Sequence, residues 1–180
     1  MAPAKAPSRA DGALGPDAAF PLPHDHEHCV SDAVGAAEAL CARRGVRLTD
    51  LRRRVLELVW SSHAPIGAYD LLRRLSQEHQ SAAPPTVYRA LDFLLEQGLI
   101  HRIESLNAFV GCAAPDASHA GQFLICNSCG VAAELEDPRI DRAISRSAAE
   151  IGFAVERKTI ELRGLCPGCR EAPEEDDHGA

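Results

Sequence analysis

Two C-x-x-C pairs, Cys126-Asn-Ser-Cys129 and Cys166-Pro-Gly-Cys169, are separated by 36 residues in a chain of 180. Each pair sets two sulfurs on one tight turn, where backbone amides can donate to thiolates. Two such turns brought together make a tetrahedral zinc site with bonds of about 2.3 Å. A site closed by four protein sulfurs leaves no open position and is structural. In a unit of roughly fifty residues with a thin core, the metal would hold the two halves together and contribute directly to folding. The rival readings are a redox dithiol, weakened by the presence of two pairs, and plain buried cysteines.

The compartment agrees with metal chemistry. The chain has seven cysteines, no run of 18 apolar residues and no charged-then-apolar start. A membrane span or secretory route is not expected, and the reduced thiols of a cytoplasmic protein hold metal more often than they form disulfides. Apolar residues at 46% and charged residues at 25% are ordinary for a folded chain. The net charge of −7 argues against nucleic-acid binding, but it is unevenly spread: −2 over residues 1–29, +1 over 30–112 and −6 over 113–180. Within the middle stretch Arg43, Arg44, Arg47, Arg52, Arg53 and Arg54 have only Asp50 and Glu57 as close acidic neighbours in sequence. A phosphate-binding module joined to a non-binding one has this pattern.

The periodicities divide the chain accordingly. Residues 1–29, rich in Pro and Ala at the start, form a disordered tail in this reading, as do residues 172–180. From Ser31 the spacing of Val34, Ala37, Leu40 and Cys41 predicts a helix ended by Gly45. Thr49 caps a second helix with Leu51, Val55, Leu58 and Val59 inward, and a third carries Leu71, Leu72 and Leu75. The fourth, after Pro84-Pro85, has Val87, Leu91, Leu94 and Leu95 as its core stripe and Gly98 as its stop, with Thr86, Tyr88 and Arg89 crowded at its start. LIHRIES and NAFVGC then alternate around Leu106-Asn107 as a β-hairpin. Helices followed by a hairpin give the winged helix-turn-helix plan over residues 30–112. Residues 113–120 form a hinge, and 121–171 a small α/β unit: strand QFLIC with VAAELE as its hairpin partner, a helix from Asp137-Pro138 to Gly152, and a strand over 153–163. The fold class is α+β.

A second metal site follows from the hairpin. With the turn at Leu106-Asn107, residue 101 falls opposite residue 112, so His101 and Cys112 become cross-strand neighbours with Cβ atoms about 5 Å apart. His119 in the hinge and an acidic residue beyond the first C-x-x-C, Glu134 or Glu136, would complete the set. The plain alternative is a solvated His101 and a core Cys112. The tract His24-Asp-His26-Glu-His28-Cys29 is a third, looser candidate, and Cys41 is assigned to the core.

In CARRGVRLTDLRRRVLELV, AYDLL, PPTVYRALDFLLEQGLIHRIES, the first C-x-x-C and GLCPGC, over residues 38–170, the chain resembles the ferric uptake regulator superfamily, and within it the zinc-sensing regulators. The resemblance implies an N-terminal winged helix and a C-terminal dimerisation domain. It further implies a homodimer that, loaded with zinc, binds palindromic operators on double-stranded DNA and represses zinc-uptake genes. It places a structural zinc on Cys126, Cys129, Cys166 and Cys169 and a sensing zinc on His101, Cys112, His119 and Glu134, hence two Zn²⁺ per chain. It assigns base reading to Tyr69 and Arg89, backbone contacts to Thr86 and Tyr88, and phosphates to Arg43, Arg44 and Arg47. Arginine at the start of a reading helix suits a guanine edge. The chain departs from the iron-sensing branch in having PDASHAG, with one histidine, where that branch carries a histidine run; together with the thiolate at Cys112 this favours zinc. Zinc-sensing relatives often carry further histidines or cysteines past the second C-x-x-C, whereas here His178 stands alone.

Three other functions compete. No Ser-His-Asp set, phosphate loop or open catalytic metal site is apparent, so neither an enzyme nor a small-molecule substrate is expected. A zinc-stabilised interaction domain leaves the helix-start composition and the arginines unexplained. A sensor of another metal or of peroxide from the same superfamily, an iron sensor among them, is the nearer rival.

Overall fold

The computed structural model describes residues 20, 26–78, 83–115, 121–135 and 137–171. The expected tails therefore lie almost wholly outside the described residues. Helix α1 spans His26–Arg44, starting five residues before Ser31. Val30 packs against the core, and this extends the helix into a stretch whose sequence suggests a polar tail. Thr49 caps α2 (Asp50–Trp60), its hydroxyl accepting from Arg52 N at 3.5 Å. Strand β1 (Ile66–Gly67) leads into α3 (Ala68–Glu78). Helix α4 (Pro84–Glu96) opens with prolines at its first two positions, where the missing N–H groups need no partner. It closes on Gly98 at φ 67°, a left-handed turn that suits glycine and lets Leu99 N reach Leu94 O at 2.9 Å.

The inward faces of these helices make the main core. Val55, Leu56, Leu71, Leu75, Val87, Leu91, Leu94 and Ile100 are almost fully enclosed, and each such side chain contributes about 1.5–3 kcal/mol by leaving water. Arg52 lies over the Phe93 ring at 3.6 Å and donates to Arg47 O at 2.6 Å, tying α2 to α4.

The wing has three strands rather than two, in the order β1-β3-β2, with β2 Ile100–Ile103 and β3 Ala108–Gly111. A two-residue β1 is too short to leave an alternating pattern. Between β2 and β3 a 3₁₀ turn (Glu104–Leu106) and Asn107 at φ 47° make a four-residue loop. The register therefore sets His101 opposite Val110 and Ile100 opposite Gly111, not residue 101 opposite 112.

The second sheet is ordered β5-β4-β6, with β4 Gly121–Cys126, β5 Ala132–Glu134 and β6 Thr159–Gly164. β4 and β5 pair antiparallel; β4 and β6 run parallel, connected through α5 (Pro138–Glu150). The final strand begins at Thr159, so 153–158 is loop, with Lys158 holding Ser145 Oγ at 2.8 Å and pairing with Asp141. A short α6 (Pro167–Glu171) follows. Ile103 of the wing packs with Phe123 and Ile125 of β4, so a small apolar cluster joins the two sheets. Ala132 N also donates to His63 O at 3.0 Å.

Gly111 lies against Trp60, the one tryptophan of the sequence: a Cβ there would overlap the indole ring. Gly111→Ala is therefore expected to cost about 1–3 kcal/mol as the ring is displaced. Urea unfolding followed by Trp60 fluorescence checks this, and an unchanged midpoint and spectrum would contradict the packing.

Candidate metal centres and nucleic-acid interface

Cys126 is the last residue of β4, and Gly164, its partner in the parallel register, is the last of β6. Both strands therefore deliver their C-x-x-C turns to the same end of the sheet. Cys126 N donates to Val131 O at 2.9 Å, Gly130 N to Cys126 O at 3.1 Å, and Asn127 N to Gly164 O at 2.8 Å, which closes the first turn against the end of β6. The second turn opens α6. The four sulfurs lie within 4.8 Å of one another, with Cys129 Sγ 3.8 Å from Cys166 Sγ. A tetrahedral zinc with bonds of about 2.3 Å separates its sulfurs by roughly 3.8 Å. The donor set fits that ion: four soft ligands, two of them, Cys126 and Cys166, buried.

The sulfurs do not titrate alike. Burial pushes Cys126 up, but the amides of Cys129, Cys166 and Ser128 outweigh it and hold the thiol at about 6; Cys166 N stands 3.4 Å from its sulfur. For Cys129 the amide of Val131 acts downward, while burial and the sulfurs of Cys126, Cys169 and Cys166 push it up to about 12. Loading a divalent cation on this set would displace the protons that its sulfurs carry.

A second cluster gathers His101, Cys112 and Glu134, whose ligand atoms also lie within 4.8 Å of one another. His101 Nε2 is 3.2 Å from Glu134 Oε1, with side-chain exposures of 19% and 11%, and Cys112 is buried. The His101 ring also tilts against Phe123, centroids 5.3 Å apart. The hairpin register differs from expectation by two residues, with Cys112 N donating to Leu99 O at 3.1 Å. A shift of two preserves which face a side chain occupies, so His101 and Cys112 still share a face, as diagonal rather than direct neighbours. His119 and Glu136 lie outside the described residues, as does His24. His26, Glu27, His28 and Cys29 sit at the start of α1, where His28 faces Asp32 at 3.9 Å, and Asp25 lies outside the described residues. Cys41 is in the core.

On the helical unit, Thr86, Tyr88 and Arg89 are exposed along the first turns of α4, and Tyr69 projects from the start of α3 with 78% of its surface open. Arg89 makes no ion pair among the described residues. The arginine run of α2 is another matter. Arg53 pairs with Glu38 of α1, and Arg54 with Glu57 and, at 2.5–2.6 Å, with Glu78 of α3. Glu38 and Glu78 are far away in sequence, unlike Glu57, and with them Arg53 and Arg54 are neutralised within the fold. Arg43, Arg44 and Arg47 remain exposed, although Arg44 also donates to Gln97 O at 2.7 Å and so braces the end of α4.

The family model described as the ferric uptake regulator family matches residues 43–163. The zinc uptake regulation protein of Escherichia coli K12 is 42% identical over 153 residues, covering 82% of this chain and 90% of that protein. This chain belongs to the ferric uptake regulator family. Among solved structures, a zinc uptake regulator complexed with zinc and DNA aligns with a TM-score of 0.75 at 43% identity, over 79% of this chain and 95% of that one. The holo form of XcZur aligns at 0.72 and 44% identity, over 78% and 99%.

In this family member two contacts between the second sheet and the wing escape sequence reading. Phe123, which backs His101, is visible in sequence only as one apolar residue of QFLIC. Glu161 accepts from the backbone N–H groups of Glu104 and Ser105 at 2.6 and 3.1 Å, and no local pattern signals a contact across 56 residues. Burial pushes the Glu161 carboxyl up, but Ser105, through side chain and amide, and Glu104 N hold it below its ordinary value. Among the described residues no helix is long and apolar enough to cross a membrane.

Because the four-sulfur cluster lies wholly within the second unit, Cys126→Ser is expected to unfold that unit while α1–α4 keep their core. Hydrogen exchange resolved by peptide checks this: uniform loss over both units, or no loss, would contradict it.

Proposed function

We propose that the protein is a zinc-responsive transcriptional repressor that binds palindromic operators of zinc-uptake genes as a zinc-loaded homodimer. The observation that carries the reading is the cluster of His101, Cys112 and Glu134, whose donors come from both units: β2 and the end of β3 on one side, β5 on the other. His119, between the units in sequence, would complete a tetrahedron. Zinc supplies four directed bonds that neither unit can satisfy alone, and a thiolate in the set favours it over iron. Its binding therefore favours one orientation of the helical unit relative to the second sheet. A hundredfold change in DNA affinity needs about 2.7 kcal/mol of differential metal binding between orientations.

The other parts are given roles to match. Cys126, Cys129, Cys166 and Cys169 hold a second, structural zinc, making two per chain. Arg89 and Tyr69 read bases, Thr86 and Tyr88 approach the backbone, and Arg43, Arg44 and Arg47 meet phosphates. Dimerisation is supported by β6, an edge strand of its sheet, and by Ile151, Phe153, Leu162 and Leu165, large apolar side chains exposed by 49–82%. A second copy would cover them, and the dimer's two α4 helices, one per chain, would face half-sites of one palindrome. Such a protein works where the DNA and reduced thiols are, in the cytoplasm.

Metal analysis and a DNA-shift titration at buffered free zinc test the proposal. The expected result is two zincs per chain, one removable by mild chelation, with DNA binding lost on its removal; metal-independent binding would defeat it, and iron- or peroxide-dependent binding would favour a different sensor. Cys112→Ala should abolish zinc-dependent binding yet leave a folded dimer with one zinc. Arg89→Ala should cost about 1–3 kcal/mol of operator affinity and relax base preference, whereas Arg47→Ala should weaken all sequences alike and lower the salt slope by about one.

A further inference from the structure

One rung of the second sheet runs Glu134, Phe123, Glu161: β5 pairs Glu134 with Phe123, and β6 pairs Glu161 with the same Phe123. Paired residues on neighbouring strands direct their side chains to one face, so these three leave the sheet side by side. All three meet the wing. Glu134 Oε1 stands 3.2 Å from His101 Nε2, the Phe123 ring lies 5.3 Å from the His101 ring, and the Glu161 carboxylate accepts from Glu104 N and Ser105 N at 2.6 and 3.1 Å. Besides the apolar contact of Ile103 with Phe123 and Ile125, the wing is thus held by polar groups at two places, beside the candidate metal ligands and at its turn.

The second hold acts on the first by leverage. His101 and Glu104 are three residues apart along one hairpin edge, roughly 10 Å at strand rise. A hairpin held by His101 and the non-directional apolar contact of Ile103 could still rock at its turn; one whose turn amides are also gripped cannot. Arg102 stiffens the turn by pairing with Glu104 at 3.2 Å and donating to Asn107 Oδ1 at 2.9 Å. We propose that Glu161 is a positioning residue for the sensing site, gripping the wing turn so that His101 and Cys112 are presented to Glu134 in a geometry a metal can close. The role rests on the zinc-sensing function argued above. It also places the grip on β6, the strand offered to the second copy, so that assembly of the dimer and seating of the wing share one element.

The test compares full-length Glu161→Gln and Glu161→Ala with the parent chain by three readouts: hydrogen exchange over residues 102–108, affinity for the removable zinc against a competing chelator, and DNA binding at limiting and saturating zinc. In both variants the wing-turn amides should exchange faster and the removable zinc should weaken by about tenfold, the scale of losing a charge-assisted hydrogen bond. DNA affinity at saturating zinc should stay within about twofold of the parent, with the other zinc and the dimer retained. Unchanged exchange and unchanged zinc affinity would overturn the role. So would a variant that loses its thermal midpoint, its dimer and its four-sulfur zinc together, which is the mark of a merely structural carboxylate. Metal-independent DNA binding by the parent chain would defeat the function itself, and this proposal with it, and is read before any variant is compared.

Discussion

The second unit depends on β4 and β6 running parallel. Each strand ends where a C-x-x-C turn begins, and only parallel strands bring those two ends to the same edge of the sheet; antiparallel pairing would leave the sulfurs a strand length apart. A parallel pair needs a long crossover, which β5, α5 and the 153–158 loop supply. Few large apolar side chains are enclosed here, Phe123 and Ile125 chief among them, and α5 buries no residue fully. The unit therefore relies on whatever joins its sulfurs and on its contact with the wing.

That constraint explains what was legible in the sequence. The four-cysteine cluster could be read because it follows from spacing and sulfur chemistry, both local. The helices of the first unit could be read because Val55, Leu58, Val59, Leu91 and Leu94 recur at helical period, and tertiary packing agrees with it. The hairpin was harder. Its turn type depends on a 3₁₀ segment and a left-handed Asn107, and taking Leu106-Asn107 as a two-residue turn moves the register by two. His101 and Cys112 stay together because an even error preserves the face; an odd one would have pointed them apart.

Long-range contacts between local patterns were not legible. Arg52, Arg53 and Arg54 look like a phosphate-facing run, yet the fold brings Phe93, Glu38 and Glu78 to meet them. Each of those partners lies at least 15 residues away on another helix, so counting charges within a window overstates the free cation. Glu161 shows the converse, a carboxylate unremarkable in TIELRG that acquires its role only when β6 is laid beside Phe123.

The two metal clusters differ in what a cation can change through them. All four sulfurs belong to one unit, so closing that site lowers the free energy of every orientation of the wing equally and cannot select among them. His101 and Cys112 belong to the wing, while Glu134 belongs to the sheet; a cation bound by all three has its full affinity only when the units are correctly seated. Any other contact that favours the same seating, the grip of Glu161 on the wing turn included, must raise metal affinity by the factor with which metal raises that contact. A protein that combines a cluster of each kind can keep its fold when the sensing ion leaves, and lose only the orientation that ion selected.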